Sequence, residues 1–375
     1  MKGIVIVDKG LEEVASREIK EEIKSASKEE ETVVIFSMKN EEDICKIAYN
    51  CQSIRRALIL INKISIHSDL GKSVEAFQKG IETKLKKYSS NKIQVECERI
   101  GTHDFTSVDF AKEASKALEE KKFKISRKES NITLYIYIYK NKGYLCIDYS
   151  GRDLSKRNYR IFTKAGSLKG TLAYALIRFA DYKPGEIIID PLCESGVVPI
   201  EAALMAIQKS VHFYKKEFEF QKIMPNWQKL LDKEDKKIKK KIVKIYAYDK
   251  MLRNIDSTKK NAKIAGVEKN INFSKTEIEW LDTKFEERSV DKIVTKLPSE
   301  SKKMPSKFVE KMYQEFFYQV EYVLKAKGLA VVCTLRNDLL KKESEKKNLQ
   351  IIEEKRVFSG QQEYTVTIFK KVYKE

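Results

Sequence analysis

IIIDPLCESGVVPIEAALMAI, residues 187–207, reads as a buried strand, a tight turn and a helix in direct succession. The β-branched run Ile187, Ile188 and Ile189 stops at Asp190-Pro191. Small residues follow at Ser195-Gly196. Ile200, Ala203, Leu204 and Ile207 then recur at helical spacing. A strand-turn-helix of this kind cups a nucleotide-like ligand at the carboxyl edge of an open α/β sheet.

The 375 residues are enough for two or three domains with sizeable cores, and 42% hydrophobic content is that of a globular chain. Net charge is +19, from 74 basic and 55 acidic residues. A Lys- and Glu-rich surface of the heat-adapted kind is one reading. The basic excess favours a polyanionic partner, with nucleic acid first. Six cysteines without a C-x-x-C pair, and three histidines, offer no zinc site, so no metal is expected. Reduced thiols and the lack of a leader pattern after Met1 point to the cytoplasm. No apolar run approaches membrane-spanning length, so no membrane partner is expected.

Around the opening stretch the chain divides into four parts. Residues 1–65 read β-α-β-α-β, a ferredoxin-like α+β unit. Residues 66–150 read α-β-α-β-β. In them Ile132, Leu134, Ile136 and Ile138 alternate with Tyr135, Tyr137 and Tyr139, ahead of a turn at Asn141-Lys142-Gly143. Residues 151–169, GRDLSKRNYRIFTKAGSLK, form a basic connector with Asp153 as its one acid. Tyr159 and Phe162 interleave its charges, a pattern that suits RNA as well as a solvated linker. Residues 170–375 alternate strands and helices as a parallel sheet requires. A lysine-rich segment at 229–244 interrupts them as a solvated helix or insertion, and a hairpin closes the chain.

Several motifs carry a family resemblance. ERIGTHDFTS, residues 98–107, is similar to the R-x-G-x-H-x-F-x-S pattern of THUMP domains, through Arg99, Gly101, His103, Phe105 and Ser107. The resemblance implies RNA contact by Arg99, His103 and Phe105; a capped helix start with a packed ring is the other reading. The connector resembles the G-x-x-L-x-x-R-x-Y-R segment that joins THUMP to a catalytic domain, which implies RNA contact by Arg152, Lys156, Arg157 and Arg160.

The 187–207 turn resembles the D-P-x-C-G-S-G-T-x-x-I-E-A signature of S-adenosylmethionine-dependent RNA N-methyltransferases. Asp190, Pro191, Cys193, Ser195 and Gly196 match, while Glu194 replaces the first glycine and Val197 the threonine. The resemblance thus implies a donor site of Asp190, Pro191, Cys193, Glu194, Ser195 and Gly196. Asp249, at the end of KIYAYD, either takes the donor's ribose hydroxyls or caps the next helix. That helix ends in the family-like NAKIAGV. Glu277 stands where an acid meets the adenine amine.

The family's N-P-P-Y or N-L-P-Y loop reads Lys296-Leu297-Pro298-Ser299 here. Lysine offers donors and no acceptor, so it does not replace an asparagine that accepts from a guanine amine. Ser299 does not stack as tyrosine does.

These motifs resemble the THUMP-containing tRNA guanine-N2 methyltransferases. They imply an α/β fold: a ferredoxin-like unit, a THUMP domain and a Rossmann-like class I methyltransferase domain. Two functions follow. One is a tRNA-binding member with a decayed site, a non-catalytic paralogue or protein partner of a tRNA-modifying enzyme. The other is an active S-adenosylmethionine-dependent RNA methyltransferase with an altered loop.

Overall fold

The computed structural model describes residues 1–81, 85–164, 166–240, 243–302 and 304–372. Position 165 of the connector and 241–242 of the lysine-rich segment lie outside the described residues. The chain forms two compact units. The first holds Met1–Val7, Ala15–Leu154 and Lys216–Glu234; the second holds Asp8–Val14, Ser155–Lys215 and Asp235–Glu375.

The first unit begins β1 (Lys2–Val7), α1 (Glu12–Ile23), β2 (Ser27–Glu30), β3 (Val33–Ser37), α2 (Glu41–Asn50) and β4 (Ile54–Ser65). These four strands pair antiparallel in the order β2-β3-β1-β4, the split β-α-β arrangement of ferredoxin-like folds. Then come α3 (Leu70–Gly80), β5 (Lys92–Ile100), α4 (Ser107–Glu120), β6 (Lys124–Ile125), β7 (Ile132–Tyr139) and β8 (Lys142–Asp148). β4 continues into β8, β7, β5 and β6, so one eight-stranded sheet runs through residues 2–148.

Both faces of β7 are buried. Its tyrosines join Ile4, Ile6, Val33 and Leu58 in a core, and their hydroxyls find partners. Tyr137 donates to Thr32 Oγ1 at 2.9 Å, and Tyr135 to Glu98 Oε2 at 2.6 Å. The hairpin turn lies one residue or more earlier than expected, at Lys140 and Asn141, with Lys140 at φ 54°. Gly143 is strand instead, where an added Cβ would stand 2.7 Å from Ile64.

The second unit contains α5 (Gly170–Phe179), β9 (Ile187–Asp190) and α6 (Val197–Ala206). The chain then leaves it for residues 216–234, which carry most of α7 (Trp227–Asp235) into the first unit. There Phe220 N donates to Tyr149 O at 3.2 Å, and Phe218 stacks on Phe220 at 4.8 Å. The second unit resumes with β10 (Lys244–Asp249), α8 (Leu252–Ala265), β11 (Ile271–Lys275), β12 (Val290–Lys296), α9 (Ser306–Val323), β13 (Leu324–Thr334), α10 (Asn337–Ser344), β14 (Leu349–Ser359) and β15 (Gln362–Lys371).

Its sheet order is β11-β10-β9-β12-β13-β15-β14. β9 to β13 are parallel, and β15 inserts antiparallel between β13 and β14. Ile189, Ile293, Phe316, Phe317, Val320 and Phe369 fill the core beneath α9. No helix among the described residues is long and apolar enough to cross a membrane.

Glu18 of α1 fastens the start of β4 by accepting from Gln52 N at 2.8 Å and Ser53 N at 3.0 Å. Glu18→Ala would strand two buried N–H groups. We expect it to lower the unfolding free energy by about 2 kcal/mol in urea titration.

Candidate active site

The second sheet changes direction at β9. β10 and β11 build outward on one side, β12 and β13 on the other. Such a switch point opens a crevice at the strands' carboxyl ends. Asp190, Asp249, Thr295 and Lys296 end the strands that border it.

Asp190 is buried and accepts from Thr295 Oγ1 at 2.7 Å and from Leu192 N at 3.2 Å. Burial pushes its carboxyl up to about 7, against the pull of those bonds. Cys193 is buried beside Thr258, Sγ to Oγ1 3.6 Å, and burial holds its thiol well above the ordinary range. Pro191 and Ser195 are buried beside it, and Ser195 Oγ donates to Ser167 Oγ at 3.3 Å.

Gly196 opens α6 at φ 80°. A Cβ there would meet Thr258 Cγ2 at 2.2 Å, so the turn admits glycine alone. Glu194 also has a left-handed φ, 49°. A non-glycine residue pays about 1 kcal/mol for that conformation. Its N–H donates to Asp249 Oδ2 at 3.1 Å, and its carbonyl accepts from Thr258 at 3.3 Å. Its carboxylate lies 3.5 Å from Lys296 Nζ and 4.0 Å from Lys164 Nζ. Lys296 also donates to Gly166 O. One ion pair therefore joins the turn after β9 to the end of β12, with the connector tied on by Lys164 and Gly166.

Of the two roles expected for Asp249, the structure shows bonds to its own chain near the start of α8. Asp249 stands at the ribose end of β10, yet Oδ1 accepts from Met251 N at 2.9 Å and Asn254 Nδ2 at 3.0 Å. With Oδ2 on Glu194 N, both oxygens are engaged by the chain itself. Glu277 is exposed and borders a small cavity of about 70 Å³ with Leu192, Lys250 and Phe308. Ligand pockets usually run from about 300 Å³ upward. Leu297 is buried, with its N–H on Cys333 O at 3.0 Å. Pro298 O accepts from Tyr313 OH at 3.0 Å. Ser299 follows in the partly exposed loop.

The backbone of the turn thus has the shape of a donor cradle. Glu194 and Lys296 set a carboxylate and an ammonium 3.5 Å apart across the crevice, and the cavity that Glu277 borders is small.

Several expected RNA contacts are buried or engaged within the protein. Arg157 is fully buried, with Nε 2.8 Å from Glu201 Oε1 and Nη2 3.2 Å from Oε2. Tyr159 is buried on the same carboxylate, OH to Oε1 2.6 Å. Neither faces a ligand. Phe105 is also buried, packed on Phe110 at 5.6 Å. Arg99 Nη1 donates to Gly101 O at 2.8 Å within its own loop, and His103 Nε2 bonds Lys140 O at 2.8 Å in the β7–β8 turn. Arg152 donates to Glu217 O at 3.1 Å. Lys156 is exposed and Arg160 half-buried.

Sequence reasoning missed Glu201, Thr258 and Asn261. Asn261 Nδ2 donates to Phe162 O and Ser195 O, both at 2.9 Å, and Oδ1 accepts from Phe162 N at 3.0 Å. Glu201 and Asn261 were visible as parts of the I-E-A and N-A motifs, without their partners.

Residues 157–365 match the family described as RMKL-like, methyltransferase domain. The chain belongs to that family. Methyltransferases of this family draw the methyl group from S-adenosylmethionine. A tRNA (guanine(6)-N2)-methyltransferase of Methanocaldococcus jannaschii is 28% identical, covering 96% of this chain and 97% of its own. Another of that name from Archaeoglobus fulgidus is 24% identical, covering 94% and 87%. The crystal structure of TrmN from Thermus thermophilus aligns at TM-score 0.71 and 19% identity over 99% of both chains, which shows the shared fold.

Arg157→Ala would leave the buried Glu201 carboxylate without its guanidinium. We expect a loss of about 3–5 kcal/mol in chemical unfolding. Asp190 binds its proton more tightly when folded than the unfolded chain's value of about 4 allows. Its contribution is complete below pH 4 and is lost as pH rises through 7. Asp190→Asn should flatten the fall in stability over that window, read by thermal unfolding at stepped pH.

Proposed function

We propose that this chain is a tRNA-binding member of the family whose donor site its own side chains close. It acts as a non-catalytic paralogue, or as the protein partner of an active tRNA-modifying enzyme, in the cytoplasm. The observation that carries this reading is the Glu194–Lys296 pair across the crevice. Methylating a guanine amine needs an acceptor to draw the nitrogen lone pair out of the ring. Lys296 offers none.

Support for tRNA comes from the two archaeal relatives, the net charge of +19 and the basic connector. The THUMP-like motif at 98–107 adds to it as a loop held rigid by Arg99 and His103. The rival reading is an active RNA methyltransferase with an altered loop. Gly196, Asp249 and Asn261 favour it, because the cradle they build is intact.

Calorimetric titration of S-adenosylmethionine, with and without tRNA, separates the two. We expect no heat from the donor, and tRNA affinity that falls steeply with salt. Glu194→Gly with Lys296→Asn should restore donor binding. Micromolar donor binding by the unaltered chain would sink the closed-site reading. Salt-independent or absent tRNA binding would sink the other half.

A further inference from the structure

The opposite end of the second sheet carries a groove of about 560 Å³, within the usual range for a ligand site. It lies at the amino edge of β10 and β11, about 20 Å from the donor turn by the length of β10. The lysine-rich segment, which plays no part in the candidate active site, supplies one wall through Lys239 and Lys240. Phe213 and Tyr214 supply another, with Asn270 between.

Every charged residue lining the groove is a lysine. Lys239 and Lys240 are exposed and make no ion pair among the described residues. Lys239 N is anchored on Ile207 O at 2.8 Å, which fixes that wall to the end of α6. Tyr214 is 65% exposed, unusual for so large a ring. It is nonetheless held in place. Lys209 Nζ donates to its hydroxyl at 3.1 Å and to Gly266 O at 3.3 Å, and lies 4.3 Å from the ring centroid. Gly266 makes room for this, since a Cβ there would meet Tyr214 Oη at 2.3 Å. Phe213 backs Tyr214 edge-on at 5.0 Å.

A rigid exposed aromatic face beside free ammonium groups is the chemistry that binds unpaired nucleotides: phosphates on the lysines, a base on the ring. A duplex hides its base faces from such a ring. We propose that this groove is a second RNA site, which takes a single-stranded stretch of RNA. The choice of RNA rests on the tRNA reading above; the groove's own chemistry asks for a strand of nucleotides.

The test is fluorescence anisotropy of a labelled ten-nucleotide oligouridine with the full chain, between about 50 and 200 mM salt. Tyr214→Ala should weaken binding at least about fivefold, whereas Tyr214→Phe keeps the ring and the affinity. Lys239→Glu with Lys240→Glu should reduce the salt slope by about two. Both lysines are exposed, so the pair reports binding even if the tyrosine variant folds poorly. Oligouridine affinity that survives these changes overturns the site. So does tighter binding of oligothymidine than of oligouridine, which would make the ligand single-stranded DNA, or full displacement by uridine monophosphate at equal nucleotide concentration, which would make it a free nucleotide. Loss of oligouridine binding in the variants, with no tRNA binding by the unaltered chain, counts against the tRNA reading and leaves the groove standing.

Discussion

A single buried carboxylate organises the second unit. Glu201 sits inside α6 with no exposure and gathers Arg157 and Tyr159 from the connector. Charges are expensive to bury unless geometry is good. Here the guanidinium approaches with two nitrogens and the phenol closes a third direction; burial first, and then the Glu201 charge, holds the Tyr159 hydroxyl well above its ordinary range. Gly170 marks how tight the arrangement is: a Cβ there would stand 2.5 Å from Arg157 Nε and 2.8 Å from Glu201 Oε1. With Asn261 holding Phe162 and Ser195 together, the connector becomes part of the wall around the donor turn.

The family's motifs separate into two groups on this basis. Residues that hold backbone in place are retained: Glu201, Arg157, Tyr159, Asn261, Gly196 and Asp249. The chain departs from those motifs at Glu194, Val197, Lys296 and Ser299. The changes also answer one another. Glu194 keeps the left-handed turn at a conformational cost, and the carboxylate it introduces meets the ammonium that Lys296 introduces. Lys164 stands by the same carboxylate at 4.0 Å.

The order of strands and helices was legible because periodicity reports burial on one face. The turn at 187–207, its glycine and the acid ending β10 all lay in plain view. What stayed hidden depended on partners distant in sequence. Arg157 reads as one more basic residue until Glu201, 44 positions on, is seen beside it. The tyrosines of β7 read as a polar-facing row, yet Thr32 and Glu98 satisfy their hydroxyls and let the face be buried. The excursion of residues 216–234 into the first unit rests on partners distant in sequence: Phe218 against Tyr49, Glu219 with Thr133, and Glu234 with Asn50.

The last hairpin has a consequence for how the molecule keeps company with its own kind. Because β15 inserts between β13 and β14, the sheet ends on β14, an eleven-residue strand that no further strand joins among the described residues, although Phe358 N donates to Lys9 O at 2.9 Å and Lys355 pairs with Glu13 at 2.9 Å. Long open strands invite further strands to add on. β14 carries Glu353, Glu354, Lys355 and Arg356 in a row, and the first two are exposed. A neighbour adding in register would set like charges opposite one another and strip water from them. Lys9 and Glu13 shield part of the edge, and these charges oppose addition along the rest of it.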